Sequence, residues 1–376
     1  MVICAFLLCS TKMQAQIESS TFRDSTDGAL DLSEFLLSVS GFLPVPVLIT
    51  EPAVGFGGGL FGAYFHKKES QSSTISRPDI SIGGAGGTEN GTWFAGGGHL
   101  GFWKEDHIRY QGFLLYAQPK LTFYSLGQLD EEIAINTQMK FLFLMQSLNF
   151  RINDSKWFIG GDYIFMQSEA GFDETGNPLV DKIISQLDQK LTNSGLGAQV
   201  LFDGRDNIYT PNKGFYWQNN LRYYPTWLGT TQEYGSFDTD IKLYSPIYKN
   251  KLFLTLSNKF SLVFDDAPFY TLPFVNMRGV KVMRYQGEVV NTAQAEGRYN
   301  LYKRWSVVGF GGVGMVSKTL QDFDFSENVW AGGTGFRYLL ARLFGMQAGM
   351  DFAWSEKDPI SGKNQFAFYI VMGASL

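Results

Sequence analysis

From Gly41 to the last residue, apolar and polar positions alternate with a period of two almost without a break, the period of a β-strand whose two faces meet different surroundings. In Gly345 to Ser355, Met346, Ala348, Met350, Phe352 and Trp354 share one face, and Gln347, Gly349, Asp351 and Ser355 the other. In Gln365 to Leu376, Phe366, Phe368, Ile370, Met372 and Leu376 share a face. In Ile133 to Met145, an apolar face of Ile133, Ile135, Met139, Phe141, Phe143 and Met145 opposes Asn136, Gln138 and Lys140, and the apolar face is expected to point outward. Such segments run over 54–65, 78–88, 92–103, 107–124, 132–153, 156–171, 193–203, 214–225, 234–249, 252–266, 288–302, 305–317, 329–341, 344–356 and 363–375. With Phe42 to Thr50 placed ahead of the Glu51-Pro52 turn, they make an even set, as a closed antiparallel barrel requires. A soluble sandwich would carry many more charges on its outer faces. The pattern predicts an all-β fold, a 16-stranded antiparallel transmembrane β-barrel over 42–376, apolar outside with a polar, glycine-rich lumen.

The connections carry their own pattern. Asn153 to Lys156, Tyr248 to Lys251, Tyr302 to Arg304 and Ala341 to Leu343 are tight, whereas 172–192, 226–233, 267–287 and 318–328 are long, as periplasmic turns and external loops are. By this parity Leu272 to Glu288, LPFVNMRGVKVMRYQGE, belongs to an external loop. It combines Arg278, Lys281, Arg284, Gly279 and Gly287 with apolar and aromatic residues that a solvated loop would drop, so it is expected to fold into the lumen.

Composition agrees with one face in lipid: aromatic residues are 16% of the chain, charged residues 18%, and there are 42 glycines. Trp93, Trp103, Tyr110, Trp157, Tyr223, Trp227, Tyr302 and Trp305 lie near strand ends, where interfacial girdles form. Beyond the N-terminal apolar run, no stretch reaches the roughly 18 residues of a membrane helix, so a span must be built from paired strands. Met1 to Ala15 reads as a secretory signal; it holds Cys4 and Cys9, the chain's only cysteines, and it lacks the usual basic start. Residues 16–41 follow as a periplasmic leader: Gln16 to Asp31 is polar and expected to be mobile, and Leu30 to Val39 has the spacing of a short amphipathic helix capped by an Asp. The full-chain charge is −5, and cleavage after Ala15 removes Lys12, leaving −6. No basic excess is present to neutralise phosphates, which argues against nucleic acid as a partner.

Familiar chemical motifs fail on context. Gly57, Gly59 and Gly62, and Gly309, Gly311 and Gly314, fit Gly-x-Gly-x-x-Gly, but each is followed by more alternating strand and no helix opens to cradle a phosphate. His66, His99 and His107 are not at metal-ligand spacing. There is no Gly-x-Ser-x-Gly elbow. The expectation is a protein without catalytic residues, metal or cofactor.

Met277-Arg278-Gly279-Val280 resembles the Val-Arg-Gly-Tyr/Phe signature at the tip of the inward-folded sixth external loop of the bacterial surface antigen family, the outer-membrane assembly and translocation barrels. Five strands follow it, as in that family. Phe202-Asp203-Gly204-Arg205-Asp206-Asn207, with Pro211 and Lys213-Gly214, is similar to the family's Asp-x-Arg-Asn/Asp turn ahead of a strand. Two features depart from the family pattern. Phe310-Gly311-Gly312-Val313-Gly314 stands where the family reads Phe-x-Asp-x-Gly, with Gly312 in place of the Asp that helps hold the loop arginine. Residues 16–41 are also too few for the family's polypeptide-transport-associated domains, so the chain is read as a barrel-only member.

A guanidinium in a lumen needs carboxylates around it, and strand parity places Glu296 and Asp351 on the wall that the loop would touch. Arg278, Gly279, Glu296 and Asp351 are therefore the candidate loop lock. Asp203, Arg205, Asp206 and Gly214 form the candidate turn motif, which would set strand register. The resemblance implies the bacterial outer membrane as location, outer-membrane lipid and other outer-membrane proteins or lipoproteins as partners, and protein or lipid insertion as function. A passive loop-gated channel and a structural scaffold remain open beside it.

Overall fold

The structure, a computed structural model, describes residues 22–38, 41–51, 53–66, 79–123, 135–172, 190–249, 251–265, 267–321, 327–357, 362 and 364–372. The signal segment, with Cys4 and Cys9, and the terminal Leu376 lie outside these residues. Sixteen antiparallel strands form a nearly closed barrel. They are β1 (41–49), β2 (57–66), β3 (79–88), β4 (93–103), β5 (108–123, interrupted at Pro119), β6 (135–151), β7 (157–172), β8 (190–203), β9 (214–224), β10 (234–248), β11 (252–264), β12 (289–302), β13 (305–317), β14 (327–341), β15 (346–357) and β16 (364–372). Each pairs with the next in the chain, from Gly41 opposite Phe65 to Asp351 opposite Tyr369. The expected first strand is β1, and the segment boundaries agree to within a few residues.

The outer face of β15 and β16 carries Trp354, Phe366, Ile370 and Met372, all exposed, while Asp351, Ala353 and Ala367 are buried inside. The aromatic residues proposed for the girdles point outward: Trp93, Trp103, Trp157, Tyr223, Tyr302 and Trp305 are all exposed.

In β6 the expected faces are reversed. Met139 is buried and Phe141 faces the lumen, while Leu148 and Phe150 are exposed on the outside. The centre of β6 is apolar on both faces, so alternation did not fix its sense; Gln138 and Lys140, which made the other face look lumenal, are exposed at its loop end. One wall of the lumen, from β1 to β7, is consequently apolar rather than polar and lines a cavity of about 490 Å3. Beside this wall, from the turn-side end of β7 to β10, the lumen is polar. There Arg222 on β9 donates to Asp162 on β7 at 2.9 Å and to Asp238 on β10 at 3.1 Å, and Gln199 also hydrogen-bonds Asp162.

No ladder among the described residues joins β1 to β16, and β1 has a feature suited to an edge. The carbonyl of Val47 points at β2, 3.4 Å from where a Cβ on Gly58 would stand. Polar backbone groups alternate sides along a strand, so positions 45, 47 and 49 face β2 and positions 44, 46 and 48 face the seam. Pro44 and Pro46 thus sit where they remove no ladder bond to β2, and they leave the free edge short of N–H donors.

The leader is more ordered than its composition suggested. Residues 22–38 fold against the turns 303–304 and 342–345, with the Phe22 and Phe35 rings 5.2 Å apart and a helix over Ser33–Ser38. Arg304, almost wholly buried, donates to Asp24 at 2.6 Å, Asp27 at 2.9 Å and Asp31 at 2.7 Å. Three acids that read as solubilising in sequence are ligands of one guanidinium. Leu32 N–H to Leu340 O (2.8 Å) and Leu343 N–H to Ser33 Oγ (3.0 Å) complete the attachment.

Candidate functional site

The connection 265–288 turns inward and packs as a small folded unit in the lumen. Val275 N–H donates to Tyr285 O at 2.9 Å, and Phe274 bridges Gln286, closing a hairpin around the tip. Val275, Met277, Val280 and Tyr285 are buried against Val290 on β12, Val316 on β13 and Val329 on β14. The apolar residues that set this stretch apart in sequence are thus the side chains that fasten it to the wall.

At the tip, Arg278 reaches two strands. Its Nη1 donates to Asp351 Oδ2 on β15 at 2.5 Å and its Nη2 to Glu296 Oε2 on β12 at 2.8 Å. The guanidinium carbon lies 3.5 Å from the centre of the Phe310 ring on β13, a stacking position open to a planar cation. Gly279 has φ +92°, and a Cβ there would stand 3.2 to 3.4 Å from the backbone of Trp354 and the side chain of Ala353. A glycine therefore suits both the left-handed backbone and the close approach to β15. Its N–H donates to Tyr369 Oη on β16 at 3.0 Å. The structure brings all four candidate lock residues together.

The fold is matched elsewhere. Residues 139–276 match the model of the Omp85 superfamily domain. The chain carries an Omp85 superfamily domain. BamA from Haemophilus ducreyi lacking POTRA domains 1–3 superposes with a TM-score of 0.60 at 10% identity, over 89% of this chain and 70% of that one. CdiB from Escherichia coli gives 0.60 at 10% identity over 89% and 63%, and CdiB from Acinetobacter baumannii 0.57 at 11% over 89% and 59%. At such identities the likeness is one of fold. No curated protein matches the chain by sequence. Its place is the bacterial outer membrane.

In this barrel the room left by Gly312 is filled from the loop. A Cβ at Gly312 would meet Met277 Sδ at 2.8 Å and Gln294 Cγ at 2.7 Å, so the position that carries an acid in the resembling family instead receives a loop methionine. Glu296 and Asp351 supply the negative charge. Sequence reasoning missed the fourth charged member of the cluster, Arg337 on β14. It is almost fully buried and grips Asp351 with two hydrogen bonds, Nη1 to Oδ1 at 2.5 Å and Nη2 to Oδ2 at 2.9 Å. Its Nη2 also lies 4.0 Å from Glu296. Two arginines and two acids make the cluster neutral, as a buried charge group requires. The available signal was parity: Ala331, Gly333, Gly335 and Arg337 share the inner face of their strand, and an arginine ending a file of small residues has space to reach across. A Cβ on Gly335 would stand 2.1 Å from Asp351 Oδ1, so that glycine opens the space the pair occupies.

The second motif lies at the leader end of the lumen. Asp203 accepts from Arg205 Nε at 2.8 Å and from Arg109 Nη1 on β5 at 2.8 Å. Asp206 Oδ1 accepts the N–H groups of Asn212 (3.0 Å) and Lys213 (3.2 Å), folding the turn on itself. Gly214 has φ +129°, and a Cβ there would lie 2.4 Å from Gly204 O. The segment does more than set register, because it ties separate elements together. Asn207 Nδ2 donates to Phe344 O at 2.8 Å in the β14–β15 turn, and Arg298 on β12 hydrogen-bonds Asn212. Arg109 and Arg151 both lie against the buried Phe158 ring, at 4.1 and 4.4 Å, which extends this brace around the wall.

Proposed function

We propose that this outer-membrane barrel takes part in outer-membrane biogenesis, the insertion or assembly of protein or lipid, with Arg278 as the lock that holds its loop in the lumen. One observation carries the reading: a single loop side chain reaches both β12 and β15, the two ends of four consecutive strands, so releasing it frees the loop from the wall. The donor-poor edge of β1 supports a role at the seam, where bilayer and lumen are separated by the weakest part of the sheet. No step in this role requires a catalytic group, metal or cofactor, and the chain acts on lipid and on other outer-membrane proteins or lipoproteins without chemistry of its own. Depletion in the native host is expected to lower the amounts of other outer-membrane proteins or to change outer-membrane lipid composition. Unchanged composition would overturn the proposal. In that case planar-bilayer recordings of wild type and Arg278→Ala decide for a channel, if stepwise conductance appears on release of the loop, or for a scaffold, if both stay silent.

A further inference from the structure

The apolar wall of the lumen encloses a space that the lock and the seam do not explain. The cavity of about 490 Å3 lies between the inner face of β1 to β7 and the docked loop. Its wall carries Ile49, Phe61, Phe94, Phe113 and Phe141, and Met283 reaches it from the loop. The Phe61 and Phe94 rings stack 6.1 Å apart, so the wall is a continuous hydrocarbon surface rather than scattered apolar residues.

Three lining residues have hydroxyls, and each hydroxyl is already engaged. Thr92 Oγ1 accepts Lys120 N–H at 2.9 Å, Thr88 Oγ1 donates to Asn90 Oδ1 at 2.9 Å, and Tyr270 Oη accepts from Asn193 Nδ2 at 3.0 Å. A polar solute or a cluster of water would find few partners inside, and a cavity of this kind takes an apolar guest. The volume falls within the roughly 300–1,000 Å3 of small-molecule sites. The lining draws on every strand from β1 to β7, with neighbours about 4.8 Å apart, which spreads the space along the wall and suits a chain better than a compact ring. Met283 supplies a flexible, adaptable side chain on the loop side. Its backbone is held at φ +61°, in the left-handed region that a non-glycine residue seldom adopts, and that conformation belongs to the turn from which the side chain enters.

We infer that this compartment binds the hydrocarbon chain of a single acyl group, presented by a free fatty acid or by a membrane lipid. The test uses full-length protein in lipid nanodiscs. cis-Parinaric acid is titrated as the free-acid probe, and native mass spectrometry reads whether a phospholipid leaves the disc with the protein. Saturable binding of one probe per barrel identifies a free-acid site, and a retained phospholipid with weak probe binding identifies a lipid chain. Either result supports the inference. Ala117→Phe, which fills the cavity, and Leu121→Asp, which charges it, are each expected to weaken binding by at least about tenfold, and lipid-facing Val200→Phe to leave it unchanged. Heat-modifiable migration in gels confirms that each variant is folded; if one cavity variant fails this check, the other decides. Neither probe nor lipid bound by wild type, or equal binding by a folded cavity variant, would overturn it.

Discussion

Arg337 holds Asp351 through two parallel hydrogen bonds, 2.5 and 2.9 Å long, between neighbouring strands of the wall. The acid that Arg278 approaches from the loop is therefore already paired within the sheet. This separates two jobs that a simple loop lock would merge. Arg337 neutralises a buried carboxylate whether or not the loop is docked, and Arg278 adds the link between loop and wall.

Removing each arginine should accordingly have different effects. Arg337→Leu leaves fully buried Asp351 dependent on a loop residue, and breaking such a pair costs about 3–5 kcal/mol. Arg278→Ala leaves Asp351 paired and Glu296 within 4.0 Å of Arg337, so barrel stability should fall by less. Urea midpoints followed by heat-modifiable migration should rank the variants in this order. Protease cutting within 265–288 should rank them the other way, with Arg278→Ala the more sensitive.

Arg278→Lys tests geometry rather than charge. A lysine keeps the positive charge but cannot divide two nitrogens between Glu296 and Asp351 while lying flat on Phe310. The loop of this variant should be cut nearly as fast as that of Arg278→Ala. Protection equal to wild type would show that charge alone holds it.

At Gly279 the backbone sets the requirement. With φ +92° and β15 at 3.2 Å from an added Cβ, Gly279→Val combines left-handed strain with a clash and should cost roughly 1–3 kcal/mol of loop docking. The expected readout is loop proteolysis without loss of the folded barrel.

The leader clamp has a predictable pH dependence. Hydrogen bonds from Arg304 and from the Ala29 N–H lower Asp27 to about 2 from its ordinary 3.8. In Asp31 burial acts in the opposite direction, but hydrogen bonds from Ser33 and Arg304 prevail and it too is lowered. A depressed carboxylate pKa stabilises the docked state fully above the unfolded value, near 4, and the contribution disappears as pH falls through about 2. A nitroxide on Ser25→Cys should be immobilised at pH 5 and above and released between about pH 4 and 2. In an Arg304→Ala background it should be mobile throughout.

How far the sequence reveals this molecule depends on whether a partner is near in the strand pattern. The inner positions of Glu296 and Asp351 followed from period two, because each strand there has one clearly apolar face. β6 defeated the same rule, since Leu142 and Leu144 outside and Phe141 and Phe143 inside are equally apolar, and only the opposing loop with Met283 and Tyr270 decides between them. The leader was unreadable for another reason. Asp24, Asp27 and Asp31 have the composition of a solvated segment, and the arginine that orders them lies 273 to 280 residues further on.

That separation gives the clamp a meaning in time. The two turns that receive the leader join β12 to β13 and β14 to β15, so its binding surface does not exist until these four strands have formed. Contacts this distant in sequence are late events, because the chain entropy between them must first be lost. Residues 22–38, early in the chain, are thus among the last to find their place, and a docked leader reports that the C-terminal strands have assembled.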